Sequence, residues 1–243
     1  MKIFAFTSAF MLACAAASAA VIAEWDFTRG YDSLDGKFKL KPQSAAQVKM
    51  ADDKSGVVFI APDGDKPAGL RADKTYKELS PNGAFEIAIT FRPDMSCYKP
   101  NTKRQYSVLW DNKYYFPTGK KETRFNNGFM VRMSIGSGLI YPQIFLGTGT
   151  DTVSFNGTTT KVEPGKFYTI KIKVDPAVGV SFTWGSGKEV LRKFKPEQAG
   201  LKVANAHYPV TIGDRYSSTR APFAGVISKV VLSTPDAQPA AAK

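Results

Sequence analysis

The feature that most limits how this chain can fold is a two-residue alternation of apolar and polar side chains, repeated in short runs along its length. From Ala84 to Arg92 it puts Phe85, Ile87, Ile89 and Phe91 on one side, and Glu86, Thr90 and Arg92 on the other. Tyr168 to Val174 repeats it through Ile170, Ile172 and Val174. So do Val178, Val180, Phe182 and Trp184, and Phe129, Val131, Met133 and Ile135. Successive side chains of a strand point to opposite faces, so each run reads as a strand with one face in a core and one toward water. Further strands are expected from Val21 to Thr28, Val57 to Ala61, Tyr106 to Asp111, Ile140 to Leu146, Val210 to Gly213 and Ala224 to Ser233.

Turn signals separate the runs: Asp35-Gly36, Asp63-Gly64, Asn82-Gly83, Asn127-Gly128 and Asn156-Gly157. Asn and Asp tolerate the left-handed backbone, and Gly has no Cβ to clash there. Asn156-Gly157-Thr158 also fits a glycosylation acceptor, with a turn the simpler reading. One short helical stretch is expected, around Pro196 to Gly200, and no internal repeat is present. Many short strands with such turns predict an all-β antiparallel sandwich of the jelly-roll kind.

Residues 1–20 read as a secretory signal peptide. Lys2 supplies the positive start, an apolar run to Ala20 follows, and Ala17-Ser18-Ala19 and Ser18-Ala19-Ala20 both fit a small-x-small cleavage site. The run is too short to span a bilayer, and no other segment is apolar enough to try. An N-terminal helix packed on the domain, or a lipid on Cys14, are the rival readings. The expected domain is 21–234, with a small, polar, flexible tail at 235–243. The implied location is secreted, periplasmic or cell-surface. Loss of Cys14 with the signal leaves only Cys97, so no internal disulfide forms and the fold rests on its core.

The formal charge is +12 and the pI about 9.6. A basic exported protein meets anionic polymers, or is merely kept soluble by its charge. The lysines are scattered, and nucleic acid is not among the expected partners.

Three stretches together resemble the laminin-G-like and concanavalin-A-like jelly rolls. They are Ala23 to Phe27, then Ala84 to Pro93 with its Phe-x-Pro step, then Val210 to Asp214 followed by Phe223 to Val230. The last looks like an Ile-Gly pair ahead of a closing strand of Phe-x-Gly-x-Ile type. Between them, the strand Tyr168 to Asp175 and the hairpin Phe182 to Lys188, turning at Gly185-Ser186-Gly187, suit the same order. The resemblance implies two large antiparallel sheets and a sugar- or protein-binding role, with some relatives cleaving polysaccharides. Fold alone does not choose among these.

Catalytic chemistry finds little purchase. Glycoside hydrolysis needs paired carboxylates, and the Glu-x-Asp-x-Glu run of the glucanase branch is missing; Glu86 is the lone acid of the strongest strand. The lyase branch often carries Gln-Ile-His, where this chain has Gln143-Ile144-Phe145. The single histidine, His207, reads as a loop residue, and Cys97 has no His neighbour to activate it. No cofactor is implied. Calcium is the one metal weighed, with Asp26, Asp32 and Asp35 as donors, but turn formation accounts for those aspartates and Ser228 stands where the family often has Asp.

A binding surface is left. Lys99 to Arg124 interleaves Lys103, Arg104, Lys113, Lys120, Lys121 and Arg124 with Tyr106, Trp110, Tyr114, Tyr115 and Phe116, although Trp110 reads as core. Aromatic faces stack on sugar rings, and Arg and Lys meet carboxylate or sulfate. Alternation sets Arg132 opposite Val131 and Met133, and groups Tyr141, Gln143 and Phe145. The expected carbohydrate-contacting residues are therefore Arg132, Tyr141, Gln143, Arg124 and Tyr115, with Arg215 and Tyr216 from the loop Asp214 to Arg220 at a rim. The expected function is a non-catalytic, lectin-like module for an acidic polysaccharide. A polysaccharide-degrading enzyme of the same fold and an envelope protein with protein partners are the alternatives.

Overall fold

A computed structural model describes residues 19–62, 66–95, 106–113, 126–136, 139–215 and 220–235. The expected signal peptide, apart from its last two residues, and the tail beyond 235 lie outside these residues, as does Cys97.

The described chain forms two antiparallel sheets. Its strands are β1 (Val21–Asp26), β2 (Leu40–Pro42), β3 (Val48–Met50), β4 (Val57–Phe59), β5 (Leu70–Ala72), β6 (Phe85–Pro93), β7 (Tyr106–Asp111) and β8 (Phe129–Gly136). They continue with β9 (Leu139–Gly147), β10 (Thr152–Asn156), β11 (Tyr168–Asp175), β12 (Gly179–Thr183), β13 (Glu189–Lys193), β14 (Thr211–Ile212) and β15 (Gly225–Ser233). One sheet runs β13-β12-β11-β6-β15-β4-β3, with β1 also on β15; the other runs β10-β9-β8-β7-β14-β5-β2. Many neighbours in each sheet are distant in sequence, the crossing pattern of a jelly roll. The described residues include no α-helix; short 3-10 turns stand at Lys77–Leu79 and Pro196–Gln198. The second falls where the sequence leads one to expect a helical stretch. Among the described residues no helix is long and apolar enough to cross a membrane.

The core lies where the alternation places it. Phe85, Ile87, Ile89 and Phe91 of β6, and Ile170, Ile172 and Val174 of β11, join Phe129, Val131 and Met133 of β8 and Ile144 and Leu146 of β9 in one buried cluster. Trp110 stacks on Phe129 at 5.4 Å between ring centroids and meets Trp25 edge-on at 5.9 Å. Two of the three register shifts in the sheets adjust the faces. One between Val108 and Trp110 lets both Leu109 and Trp110 turn inward and leaves Asp111 on the outer face. The other, between Ile227 and Lys229, lets Ile227 and Val230 both enter the core.

Two expectations need correction. Val178 does not share the buried face of Val180 and Phe182; its amide closes a turn on the Asp175 carbonyl and its side chain is exposed. The strands β2, β3, β5, β10 and β13 are not among those expected from the sequence. Beside the first and last strands, the Ala20 amide donates to Thr234 Oγ1 and the Thr234 amide to the Ala20 carbonyl, at 3.1 and 2.9 Å.

Candidate functional site

The outer face of the seven-stranded sheet is built by the side chains that strand alternation turns away from the core. Cross-strand register sets Arg132 of β8 directly opposite Gln143 of β9, and Gln143 opposite Asn156 of β10. The same register pairs Ser134 with Tyr141. Three of the expected site residues, Arg132, Tyr141 and Gln143, therefore share one surface.

Hydrogen bonds fix this surface tightly. Arg132 Nε donates to Gln143 Oε1 at 2.7 Å, and Ser134 Oγ donates to the same oxygen. Gln143 Nε2 donates in turn to Asn156 Oδ1 at 2.6 Å. The Arg132 guanidinium also lies 4.5 Å from the ring centre of Tyr106 and 4.4 Å from that of Phe145. Two aromatic contacts and an engaged Nε leave the side chain little rotamer freedom. Such an arginine meets a planar anion without first being ordered.

A buried charged layer supports it. Arg215 approaches the Tyr106 ring at 5.7 Å, and its Nε lies 3.7 Å from Asp111 Oδ2. Its side chain is 5% exposed, so Arg215 acts here as a brace behind Tyr106 rather than an open rim residue. Asp214 accepts the amides of Ala68, Arg215 and Ala221 at 3.0, 2.7 and 3.1 Å, and Arg220 Nη1 lies 3.6 Å from it. Burial nonetheless pushes the Asp214 carboxyl up from its ordinary range. Val108, Met130 and Ala221, flanked by Tyr106 and Phe145, form a small apolar cluster on the same side of the sheet.

Lys113 of this layer is strongly perturbed. Burial drives its pKa down to about 8, against the opposing pull of Asp111, while Arg215 pushes it further down. The unfolded chain therefore holds a proton on Lys113 between about pH 8 and the ordinary lysine value of 10.5 that the folded chain does not. Folding stability should rise with pH across that window, with a limiting slope of about 1.4 kcal/mol per pH unit. Urea melts of the native protein and of Lys113→Met at pH 7.5, 9 and 10 should show their difference changing across the window, as the native chain alone gains stability. A constant difference would mean that Lys113 keeps an ordinary pKa.

Arg124, Tyr115 and Tyr216 lie outside the described residues. His207 is exposed in the loop before β14, and Glu86 is on the outer face of the other sheet, opposite Lys173 and Ser233. Asp26 and Asp35 spend their oxygens on turns: Asp26 accepts from Thr28, and Asp35 from Ser33 and Lys37. Among the described residues no three His, Cys, Asp or Glu side chains gather around a metal-sized space. Sequence reasoning missed Tyr106 as the partner of Arg132, and Asp111, Ser134 and Asn156 altogether. Tyr106 carried one legible signal, its place at the head of a strand beside a basic run.

With this geometry in place, comparison with solved structures decides the architecture. The described fold superposes on domain 4 of AbnA, a GH43 extracellular arabinanase from Geobacillus stearothermophilus solved with arabinotriose. The TM-score is 0.55 at 15% identity, over 91% of this chain and 95% of that one. This is the concanavalin-A-like jelly-roll fold. The jelly roll also appears in the ligand-binding domain of botulinum neurotoxin serotype D in complex with N-acetylneuraminic acid (TM-score 0.54, 8% identity). A third match is the binding domain of botulinum neurotoxin DC in complex with SialylT (TM-score 0.52, 11% identity). These two matches cover 90% and 91% of this chain and 48% of each toxin chain, so the likeness spans about half of each toxin binding-domain chain. At such identities the likeness is one of fold. No protein-family model and no curated protein matches the chain.

Proposed function

We propose that this protein is an exported, non-catalytic carbohydrate-binding domain whose ligand is an acidic glycan. The observation that carries the proposal is the Arg132 guanidinium, fixed between Tyr106 and Phe145 and bonded to Gln143 on the outer face of a sheet. A cation ordered in advance by two rings and Gln143 suits a uronate carboxylate or a sulfate, and Tyr141 on the same face supplies an aromatic body for a sugar ring. Several structures of the same fold were solved with sugars, which supports the class of ligand without naming it.

Binding is favoured over cleavage by the state of the acids. Among the described residues, the carboxylates supporting this face, Asp111 and Asp214, are 1% and 0% exposed and sit beside arginines. Neither is open to protonate a glycosidic oxygen or activate water. Export rests on the signal-like residues 1–20; mass spectrometry of the mature protein should find its N-terminus at Ala20 or Val21, and a retained Met1 would contradict it.

The functional test is a calorimetric comparison of trigalacturonate, a sulfated trisaccharide and neutral arabinotriose. An acidic sugar should bind measurably more tightly than the neutral one, and its affinity should fall as salt is raised from about 0.05 M to several times the physiological level. Equal affinity for all three, independent of salt, would overturn the acidic-glycan reading.

A further inference from the structure

The chain contains three Asn-Gly pairs, Asn82-Gly83, Asn127-Gly128 and Asn156-Gly157, and the fold treats them differently. Such a pair is chemically fragile. With no Cβ on the glycine, its amide nitrogen has ready access to the side-chain carbonyl carbon of the asparagine before it. Ring closure asks three things of the structure: an asparagine side chain free to turn back on its own backbone, a glycine N–H not held in a hydrogen bond, and open space beside the glycine. Two of the pairs meet none of these conditions. Asn127 Nδ2 donates to the Asn205 carbonyl at 3.0 Å, and the Gly128 amide to the Ala204 carbonyl at 2.7 Å. Asn156 Oδ1 accepts from Gln143 Nε2 at 2.6 Å, and the Gly157 amide donates to the Pro142 carbonyl at 2.8 Å. Both glycines are buried, and a Cβ on either would lie 2.6 Å from Asn112 Oδ1 or 2.7 Å from the Pro142 ring.

Asn82-Gly83 meets all three. Both residues are exposed, and nothing lies within 4 Å of where a Cβ on Gly83 would stand. The Asn82 side chain and the Gly83 amide make no hydrogen bond with the described residues. The pair sits in the bend that joins the 3-10 turn Lys77–Leu79 to β6, and both ends of that bend are fixed. Asn112 Nδ2 donates to the Leu79 carbonyl at 2.8 Å and to Ser80 Oγ at 2.9 Å. Phe85, at the other end, is buried and paired with Val174 of β11. Asn82 therefore moves without breaking a core contact, which is the condition for reaction in the folded state.

We propose that Asn82 is a site of spontaneous modification, converting to aspartate and isoaspartate through a succinimide with Gly83, and that the fold protects Asn127 and Asn156 from the same reaction. The Gly83 nitrogen gives its proton to water and bonds to Cγ of Asn82. The Cγ–Nδ2 bond breaks, and ammonia leaves with a proton taken from water. Water then opens the ring. Breaking the new bond to Cγ gives aspartate, and breaking the original peptide bond gives isoaspartate, whose chain continues through Cγ. One water is consumed and one ammonia released, with no oxidant or reductant. Either product adds a carboxylate and lowers the formal charge of +12 by one. Isoaspartate also lengthens the backbone by one methylene, which falls in the bend and leaves the pairing of β6 as it is.

The test is incubation of the folded protein in mildly alkaline buffer, with peptide mass spectrometry of samples drawn over several weeks. Asn82 should convert at least roughly tenfold faster than Asn127 and Asn156, which react only after local opening. A more acidic species should grow on ion exchange at the same rate, and once isolated it should melt within a few degrees of the native chain. In urea the three rates should come within a few-fold of one another, because the unfolded chain exposes every pair alike. Gly83→Ala should slow conversion of Asn82 roughly tenfold, since a Cβ narrows the backbone conformations open to the ring. Conversion of Asn127 or Asn156 as fast as Asn82 in the folded protein would overturn the proposal. So would a preference for Asn82 that persists undiminished in urea, which would put the cause in the neighbouring sequence rather than the fold. A rate indifferent to Gly83→Ala would exclude the succinimide, and a modified fraction that no longer melts cooperatively would show that the bend does not absorb the change.

Discussion

Asp214→Ala should lower the melting temperature by roughly 10 °C or more, the loss of about 3–5 kcal/mol expected when a buried, paired carboxylate is removed. Three backbone amides, from Ala68, Arg215 and Ala221, end on this one side chain, and its own exposure is 0%. Alanine leaves all three without this acceptor and takes from Arg220 the anion beside it. Ala68 is far in sequence from the other two, so the carboxylate ties the loop after β14 to the loop before β5 and to the approach to β15. Asp214→Asn keeps an oxygen that can serve some of the amides and should fall between alanine and the native chain. Thermal melts of both variants check the order. Equal stability for Asp214→Ala would mean that water replaces the carboxylate, and the layer behind Tyr106 is then not a brace.

Gly225→Ala should be comparably damaging for a reason unrelated to charge. Gly225 has φ +136°, and a Cβ there would lie 2.2 Å from the Arg92 carbonyl oxygen and 2.9 Å from the Asp94 amide nitrogen. These are backbone atoms at the end of the neighbouring strand, which cannot rotate away as a side chain can. Gly225 opens β15, paired to Pro93 of β6 and Phe59 of β4. Backbone strain of about 1–3 kcal/mol and a similar overpacking cost should together exceed ~3 kcal/mol. Denaturant melts should show a lower midpoint with the slope retained, because β15 must move away from both neighbours at its start. Gly83→Ala, with nothing within 4 Å of the position its methyl group would take, should change little and serves as the control.

How much of this was legible beforehand depended on how much each strand buries. β6 and β11 bury one whole face, and β8 buries Phe129, Val131 and Met133, so their alternation stands out in the sequence; the bulge in β15 breaks its period. β2, β3 and β5 have three residues each, too few for a period of two to show. β10 and β13 are sheet edges: β10 offers only Val153 and Phe155 as alternating apolar residues, and β13 sets Val190 and Leu191 side by side, so neither gives a run long enough to stand out. Val178 continued an alternation by chance, because a turn residue after Asp175-Pro176 happened to be apolar. In the site, alternation alone placed Arg132, Tyr141 and Gln143 together. It could not place Tyr106, whose approach to Arg132 depends on which strands pair, nor Asp111, which a bulge turns outward. Arg215 looked like a loop arginine and is a buried one, because its partner Asp111 is about a hundred residues distant in sequence.

The structure also qualifies what an alanine at Arg132 would do. A solvent-facing groove arginine would be dispensable for folding, whereas this one packs against two rings and a buried amide. Arg132→Ala would therefore mix lost binding with lost packing, about 1 kcal/mol or more from the aromatic contacts and the Gln143 bond. Arg132→Met keeps most of the side-chain volume between Tyr106 and Phe145 and removes the charge.

Isothermal titration of trigalacturonate into the native protein and into Arg132→Met, with melting temperatures measured on the same samples, is the direct measurement. A charge-assisted hydrogen bond contributes about 1.5–3 kcal/mol, so affinity should fall roughly ten- to a hundredfold in the variant while its melting temperature stays within a few degrees. Undiminished binding by a folded Arg132→Met protein would contradict the assignment of this face as the glycan site.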